Sequence, residues 1–286
     1  MRQAQQFPQS VGEVTRLAED VYAFRSLNHQ GIFIVTDAGV IATDPIGQTN
    51  PRSPALYRAA IAAVTDAPIR YVVYSHDHQD HNEGGFAFAG EAEFVAHRQA
   101  AEKIAARADS QSGRSPVPTT LVDDSLSLDL GGKRVELLHL GRNHSDNSLL
   151  VHYPARRMVF GVDFVRVNNL LAPAALRLTA PQGAWDAYLD EWTASLERVE
   201  ALDFDMLVPG HPPLMGTKAD VSLLREYMIE SKAAYMAAAA SGVTAGDALT
   251  AALDDALKPK YGQVGGYATS IPAIGEAWAR HMANAG

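Results

Sequence analysis

The chain has 286 residues, 47% apolar and 20% charged, enough to bury a sizeable core in one large layered domain or two small ones. A formal net charge of −9 argues against nucleic acid as the main partner, because phosphate recognition needs a basic face. No cysteine is present, which excludes disulfides, thiolate zinc sites and a cysteine nucleophile.

The opening segment, MRQAQQFPQSVGE, lacks the apolar stretch of a signal peptide. The expectation is therefore cytoplasmic; a trimmed export signal would instead place the chain in the periplasm or outside the cell. No apolar run approaches the length needed to span a bilayer, so no membrane partner is expected. Residues 21–24, 31–35 and 40–42 read as short strands, the last two split by the turn Asp37-Ala38-Gly39. Residues 51–65 predict a helix with Pro51 near its start and an alanine-rich body. Residues 69–74, IRYVVY, form a buried strand that delivers the chain into YSHDHQDHNEGG. A strand at 93–96 and a helix over 97–108 follow, and the loop 109–118, DSQSGRSPVP, divides the chain into halves.

The second half repeats the theme, with strands at 126–128, 134–140, 148–152 and 158–160. Trp185, Tyr188, Leu189, Trp192, Leu196 and Val199 share one helical face. Val221, Leu224, Met228 and Tyr235 share another, in a helix closed by Gly242, and Thr244-x-x-Asp247 predicts a capping box on the next. Strands and helices recurring in both halves imply two αβ layers packed face to face. The alanine-rich C-terminal helices either cover the core or make a homodimer contact.

The densest chemistry lies in His76-x-His78-x-Asp80-His81. In a strand-like segment residues i and i+2 point the same way, so His76 and His78 can converge on one ion. Asp80 and His81 are adjacent and point differently, which suits a second ion nearby. Imidazole and carboxylate without thiolate is a donor set for zinc, iron or manganese. One loop leaves two ions short of partners, and three places supply the rest: His144 in GRNHSDN, Asp163 in FGVDF and His211 in VPGHPP. Each sits where a strand gives way to a loop, the usual position for such residues on a layered scaffold.

These motifs, in this order and spacing, resemble the metallo-β-lactamase-fold hydrolases over about residues 21–213. The resemblance implies an α/β fold, a four-layer αββα sandwich with its site at one edge of the two sheets. The expected organisation is a single domain over 1–286, with a core at about 18–215 and a C-terminal helical segment at 216–286. The resemblance further implies two divalent metal ions, zinc first, with iron or manganese as alternatives. His76, His78 and His144 would hold one ion, Asp80, His81 and His211 the other, with Asp163 bridging. Aspartate at the bridging place is the glyoxalase II and lactonase pattern, whereas true β-lactamases usually carry cysteine or serine there. The segment HSDNSLLVHYP departs from the lactonase pattern and looks more like uncharacterised bacterial members, which leaves the substrate class open.

Two ions sharing a carboxylate lower the pKa of a water held between them. The expected reaction is attack of the resulting hydroxide on the carbonyl of an ester, lactone, thioester or amide in a small-molecule substrate. Asp80 would orient the hydroxide or carry its proton, and no G-x-S-x-G suggests a serine mechanism instead. The alternatives are β-lactam hydrolysis and persulfide oxidation at a single iron; the acidic balance weighs against phosphodiester or RNA cleavage. Arg166 and Asn168, in the long loop after Asp163, are candidate substrate contacts. His29, between the first two strands, is a third candidate that either overhangs the site or lies on the surface. His97, His139, His152 and His281 are assigned to structure or solvent, Tyr261 and Tyr267 to core packing.

Overall fold

Side chains of alternating parity sort the strands into two sheets with three separate apolar layers. A computed structural model of the protein describes residues 11–48, 50–108, 114–178 and 187–285. The first sheet runs in chain order through β1 (Val11–Arg16), β2 (Val21–Ser26), β3 (His29–Thr36), β4 (Gly39–Thr43), β5 (Ile69–Val73), β6 (Glu93–His97) and β7 (Thr120–Val122). Its first four strands pair antiparallel, and β4 to β7 pair parallel. Helices α1 (Ser53–Val64) and α3 (Arg98–Ala106) lie between the parallel strands in sequence, with the one-turn α2 (Gln79–Asn82) directly after β5. The second sheet contains β8 (Ser125–Leu130), β9 (Lys133–His139), β10 (Leu149–Tyr153), β11 (Met158–Gly161) and β12 (Met206–Pro209), in spatial order β12-β11-β10-β9-β8. Four further helices complete the chain: α4 (Leu189–Glu200), α5 (Lys218–Ala240), α6 (Gly246–Tyr261) and α7 (Tyr267–Ala285).

On β3, Ile32 and Ile34 face the second sheet, where they join Val135, Leu137, Val151 and Phe160 in one buried cluster. Phe33, between them, points the other way and packs with Tyr57 and Ile61 of α1 and Ile104 of α3. On β10 the same alternation sends Leu149 and Val151 inward and Leu150 outward, to Trp192, Leu196 and Tyr227 of the C-terminal helices. Burial on both faces explains why residues 32–35 of β3 and 149–151 of β10 are consecutive apolar residues. The result is the αββα sandwich.

Three strands escape the sequence reading. β1 carries Glu13 and Arg16 and is broken by a bulge at Gly12, and β7 has three residues. The apolar run at 206–209 proves to be β12, parallel to β11. The halves meet between Val122 and Ser125, beyond the loop at 109–118, of which 109–113 lie outside the described residues. Trp185 also lies outside them. The capping box predicted at Thr244 is absent: α6 starts at Gly246, whose φ of +68° belongs to no helix interior, and Ala245 offers no side-chain cap. A capping box forms instead at Thr217 and Asp220 on α5. Gly242, at φ +82°, ends α5 as expected, with Val243 N–H donating to Ala238 and Gly242 N–H to Ala239 in a Schellman arrangement. No helix among the described residues is long and apolar enough to cross a membrane.

At the end of the sheets opposite His29, the buried Asp20 ties the layers together. Its carboxylate accepts from Lys133 Nζ at 2.6 Å, Tyr153 hydroxyl at 2.7 Å and Arg156 Nε at 2.6 Å. Burial alone would push this carboxyl up, but the three donors outweigh it and hold the pKa at about 2. A depressed carboxyl stabilises the fold above its unfolded value of 3.8 and loses that contribution as the pH falls through about 2. Asp20→Asn is expected to lower stability at neutral pH by about 1–2 kcal/mol and to flatten the acid limb of a denaturation series below pH 3.8. An unchanged acid limb would show that Asp20 does not carry that limb.

Candidate metal centre

The parallel strands β4 and β5 end side by side, and both turn into the site. β5 is followed by Tyr74 and Ser75, then by His76 and His78, and α2 brings Asp80 and His81. Ser75 donates through N–H and hydroxyl to the two oxygens of the buried Asp44, each at 2.8 Å, at the end of β4. With its proton spent on Asp44, the Ser75 hydroxyl accepts from His76 Nδ1 at 2.9 Å, which leaves a lone pair on His76 Nε2. His144 Nδ1 donates to the Ala175 carbonyl at 2.7 Å, and His211 Nδ1 to the Asn28 carbonyl at 2.5 Å. Both therefore also present Nε2 lone pairs inward.

Asp163, directly after β11, adopts a left-handed backbone with φ +64° and lies between the two histidine groups. Its Oδ2 is 3.6 Å from His76 Nε2, 3.3 Å from His81 Nε2 and 3.4 Å from His144 Nε2. Its Oδ1 is 2.8 Å from His211 Nε2. His76, His78, His144 and Asp163 place their donor atoms within 4.8 Å of one another, and so do His29, Asp80, His81 and His211. All seven metal-ligand residues expected from the sequence are thus brought together, in two adjacent groups.

This donor set fits a pair of cations. His76 Nε2 is buried with no hydrogen-bond partner among the described residues, and the Nε2 lone pairs of His144 and His211 face the same space, with His78 Nδ1 3.0 Å from His144 Nε2. Converging lone pairs away from water are costly unless a cation sits among them. Burial, with His78 and His81 beside it, holds the His76 imidazole well below its ordinary value, and burial pushes His144 down to about 4. Burial opposes charge on His81 too, but Asp163 and Asp80 outweigh it and raise that imidazole well above its ordinary value. Neutral His76 and His144 beside an ionised Asp163 are in the protonation states that metal ligation requires, and at His81 a cation would take the place of the proton that Asp163 and Asp80 favour.

The three candidate substrate contacts fare differently, and a set of supporting residues joins them. His29 is not a surface histidine: it is 3% exposed, with Nε2 3.0 Å from Asp80 Oδ2. Asn168 is exposed and stands outside the cavity lining, its N–H donating to Asp220. Arg166 does line the cavity, a space of about 520 Å³ above the two groups that is also lined by Arg177, Leu27 and Pro212. The sequence reading missed an outer layer. Asp77 accepts from Arg107 at 2.7 Å and Asn147 at 2.8 Å, stapling the His76–His78 loop to the His144 segment. Asn82 donates to the His78 carbonyl at 2.7 Å. Asp44 was the one with a legible signal, a lone carboxylate at the end of an otherwise apolar strand.

Comparison with known proteins gives three likenesses besides a family match. Residues 29–211 match the family model described as the metallo-beta-lactamase superfamily, and the two ends of that match fall on His29 and His211. The 2,4-dinitroanisole O-demethylase subunit alpha of Nocardioides sp. (strain JS1661) is 30% identical over 70% of this chain and 55% of its own length. The linear primary-alkylsulfatase of Pseudomonas sp. (strain ATCC 19151) is 24% identical over 58% of this chain and 39% of its own. The chain therefore spans about half or less of these curated relatives. A solved metallo-beta-lactamase from Pontibacter korlensis superposes with a TM-score of 0.61 at 19% identity, covering 76% of this chain and 98% of that one, a likeness of fold.

Ser75→Ala removes the hydroxyl linking Asp44 to His76. It is expected to weaken metal binding about 10-fold in a chelator-competition titration while the far-ultraviolet circular dichroism stays unchanged. Equal affinity would show that His76 needs no such support.

Proposed function

This chain belongs to the metallo-β-lactamase superfamily, and from that premise we propose that it is a metal-dependent hydrolase of a small-molecule substrate. Two divalent ions, zinc in the first instance, would be held by His76, His78 and His144 on one side and Asp80, His81 and His211 on the other, with Asp163 between them. The observation that carries this reading is the division of one buried carboxylate, Asp163, between the two histidine groups. When bound, two ions sharing a carboxylate supply a water of near-neutral pKa and polarise the bond under attack. The chain's own part is positional. Asp80, which lines the cavity, would orient that water or take its proton, while Asp44 and Asp77 would keep the histidines aimed.

The bond cleaved is proposed to be that of an ester, lactone, thioester or amide. A second reading, cleavage of a sulfate ester or an aryl ether, draws on the names of the two curated relatives and on Arg166. Among the described residues Arg166 makes no hydrogen bond or ion pair, and burial pulls its pKa down against the attraction of Asp163. A half-buried cation of this kind suits an anionic group on the substrate.

The test measures initial rates on zinc-loaded and chelated protein for a lactone, an aryl ester, a thioester, a cephalosporin, a phosphodiester, an alkyl sulfate and an aryl methyl ether. Metal-dependent turnover of one acyl class is the expected result. Turnover of the sulfate or the ether instead would establish the second reading, and a single bound iron with no hydrolysis would point to dioxygenase chemistry. His78→Ala and Asp163→Ala should each lose metal and at least about 100-fold in rate; full metal content with full activity in either variant would overturn the site. Arg166→Ala is expected to raise KM about 10-fold for anionic substrates and leave neutral ones unaffected. Equal effects on both kinds would remove Arg166 from substrate recognition.

A further inference from the structure

The second donor group contains one residue more than its motif supplies. His29 opens β3, and its donor atom lies within 4.8 Å of those of Asp80, His81 and His211. We infer that His29 is an additional protein ligand, through Nε2, of the ion held by Asp80, His81 and His211. This assignment rests on the reading of the site as a two-metal centre.

Spacing is the first argument. The 3.0 Å from His29 Nε2 to Asp80 Oδ2 equals the separation of His78 Nδ1 and His144 Nε2 in the other group. It falls inside the 2.8 to 3.6 Å that separates the nitrogens of His211 and His81 from their carboxylate neighbours. The ring also packs edge-on to His81 at 5.2 Å and tilted against His211 at 4.5 Å, as rings sharing one centre do.

Immobilisation is the second. The residues on either side of His29 are fastened to the His211 loop. Asn28 accepts from His211 Nδ1, while Gln30 donates its N–H to Gly210 at 2.8 Å and its side-chain amide to Pro209 at 2.5 Å. The backbones carrying the two imidazoles therefore move as one body, which is the preorganisation a shared ion needs. His29 Nδ1 is buried without a partner among the described residues, so the only polar groups its ring faces are those of the second donor group, through Nε2.

The consequence is an asymmetric pair. With His29, Asp80, His81 and His211 around it and Asp163 shared, the second ion is nearly surrounded by protein donors. Three imidazoles in the second group also favour zinc or another late divalent ion over magnesium or calcium.

The test is a cobalt(II) titration of the wild type, His29→Ala and His29→Gln, followed by bound-metal stoichiometry, competition affinity and the visible d–d spectrum. Expected is uptake of two equivalents by the wild type. Both variants should bind the first equivalent as the wild type does and the second at least about 100-fold more weakly, with a shifted band. Normal binding of the first equivalent also certifies their folding. Glutamine keeps a donor for Asp80 but is a poor ligand, so a His29→Gln variant with wild-type affinity and band would overturn the assignment and leave His29 as an orienting residue. Unchanged binding in His29→Ala would overturn it as well. A wild type that takes up no second ion would sink the two-metal reading itself, a result distinct from either.

Discussion

Everything at the site hangs on a carboxylate that has no business being buried alone. Asp163 is 7% exposed, and an ionised group there costs several kcal/mol unless opposite charge surrounds it. His211 and His81 outweigh the burial and keep the carboxyl well below its ordinary value. The same residue sits in a left-handed backbone, a conformation aspartate tolerates better than most residues but still at a cost of about 1–2 kcal/mol. That backbone turns the chain off β11 at the point where both oxygens face histidines. Strain and charge are thus concentrated on one residue, and the sheets, the Asp44–Ser75 bonds and the Asp77 staple hold the rest in register around it.

The contiguous part of this arrangement was legible in the sequence because four ligand-type residues within six positions have no ordinary structural reason to be there. His144, Asp163 and His211 were legible because each follows an apolar run, which marks the end of a strand in the amino-acid pattern alone. His29 carried no such signal. It stands at the start of a strand, not at its end, and its partners are 51 or more residues away in the chain. Asn168 misled for the opposite reason, a polar residue in a loop of the right length whose backbone is turned to Asp220 instead of the cavity. Among the elements, the consecutive apolar run in β3 and the alternation in β9 announced themselves. The short edge strands β1 and β7 did not, since half-buried polar positions carry little periodicity.

The C-terminal helices do more than cover the second sheet. The loop leaving Asp163 is fastened to them at three points. Asn168 N–H donates to Asp220 on α5, Leu170 N–H donates to the Gly265 carbonyl at 2.8 Å, and Trp192 on α4 donates to the Phe164 carbonyl at 2.7 Å. A Cβ at Gly265 would stand 2.6 Å from the Asn168 carbonyl, so the α6–α7 connection can approach this loop only because glycine is there. Arg166 lies between these anchors. Its position in the cavity is therefore set by helices far along the chain, and changes in the α6–α7 turn reach the cavity wall without touching the clustered histidines and aspartates.

Charge distribution decides how such a pocket can work. The chain is acidic overall, with a formal net charge of −9, yet the cavity wall carries Arg166 and Arg177. An anionic substrate therefore gains nothing from the long-range field, which repels it weakly and is screened beyond about 10 Å at ordinary ionic strength. Attraction begins only inside the cavity, where burial of Arg166 has already stripped much of its water and the effective dielectric is lower. Ions held by the two histidine groups would add positive charge at the cavity floor, while Asp80, Asp163 and the imidazoles confine it there. Under the reading in which Arg166 receives an anionic group, selectivity would be local, set by the length of substrate between that group and the bond cleaved at the cavity floor more than by its charge.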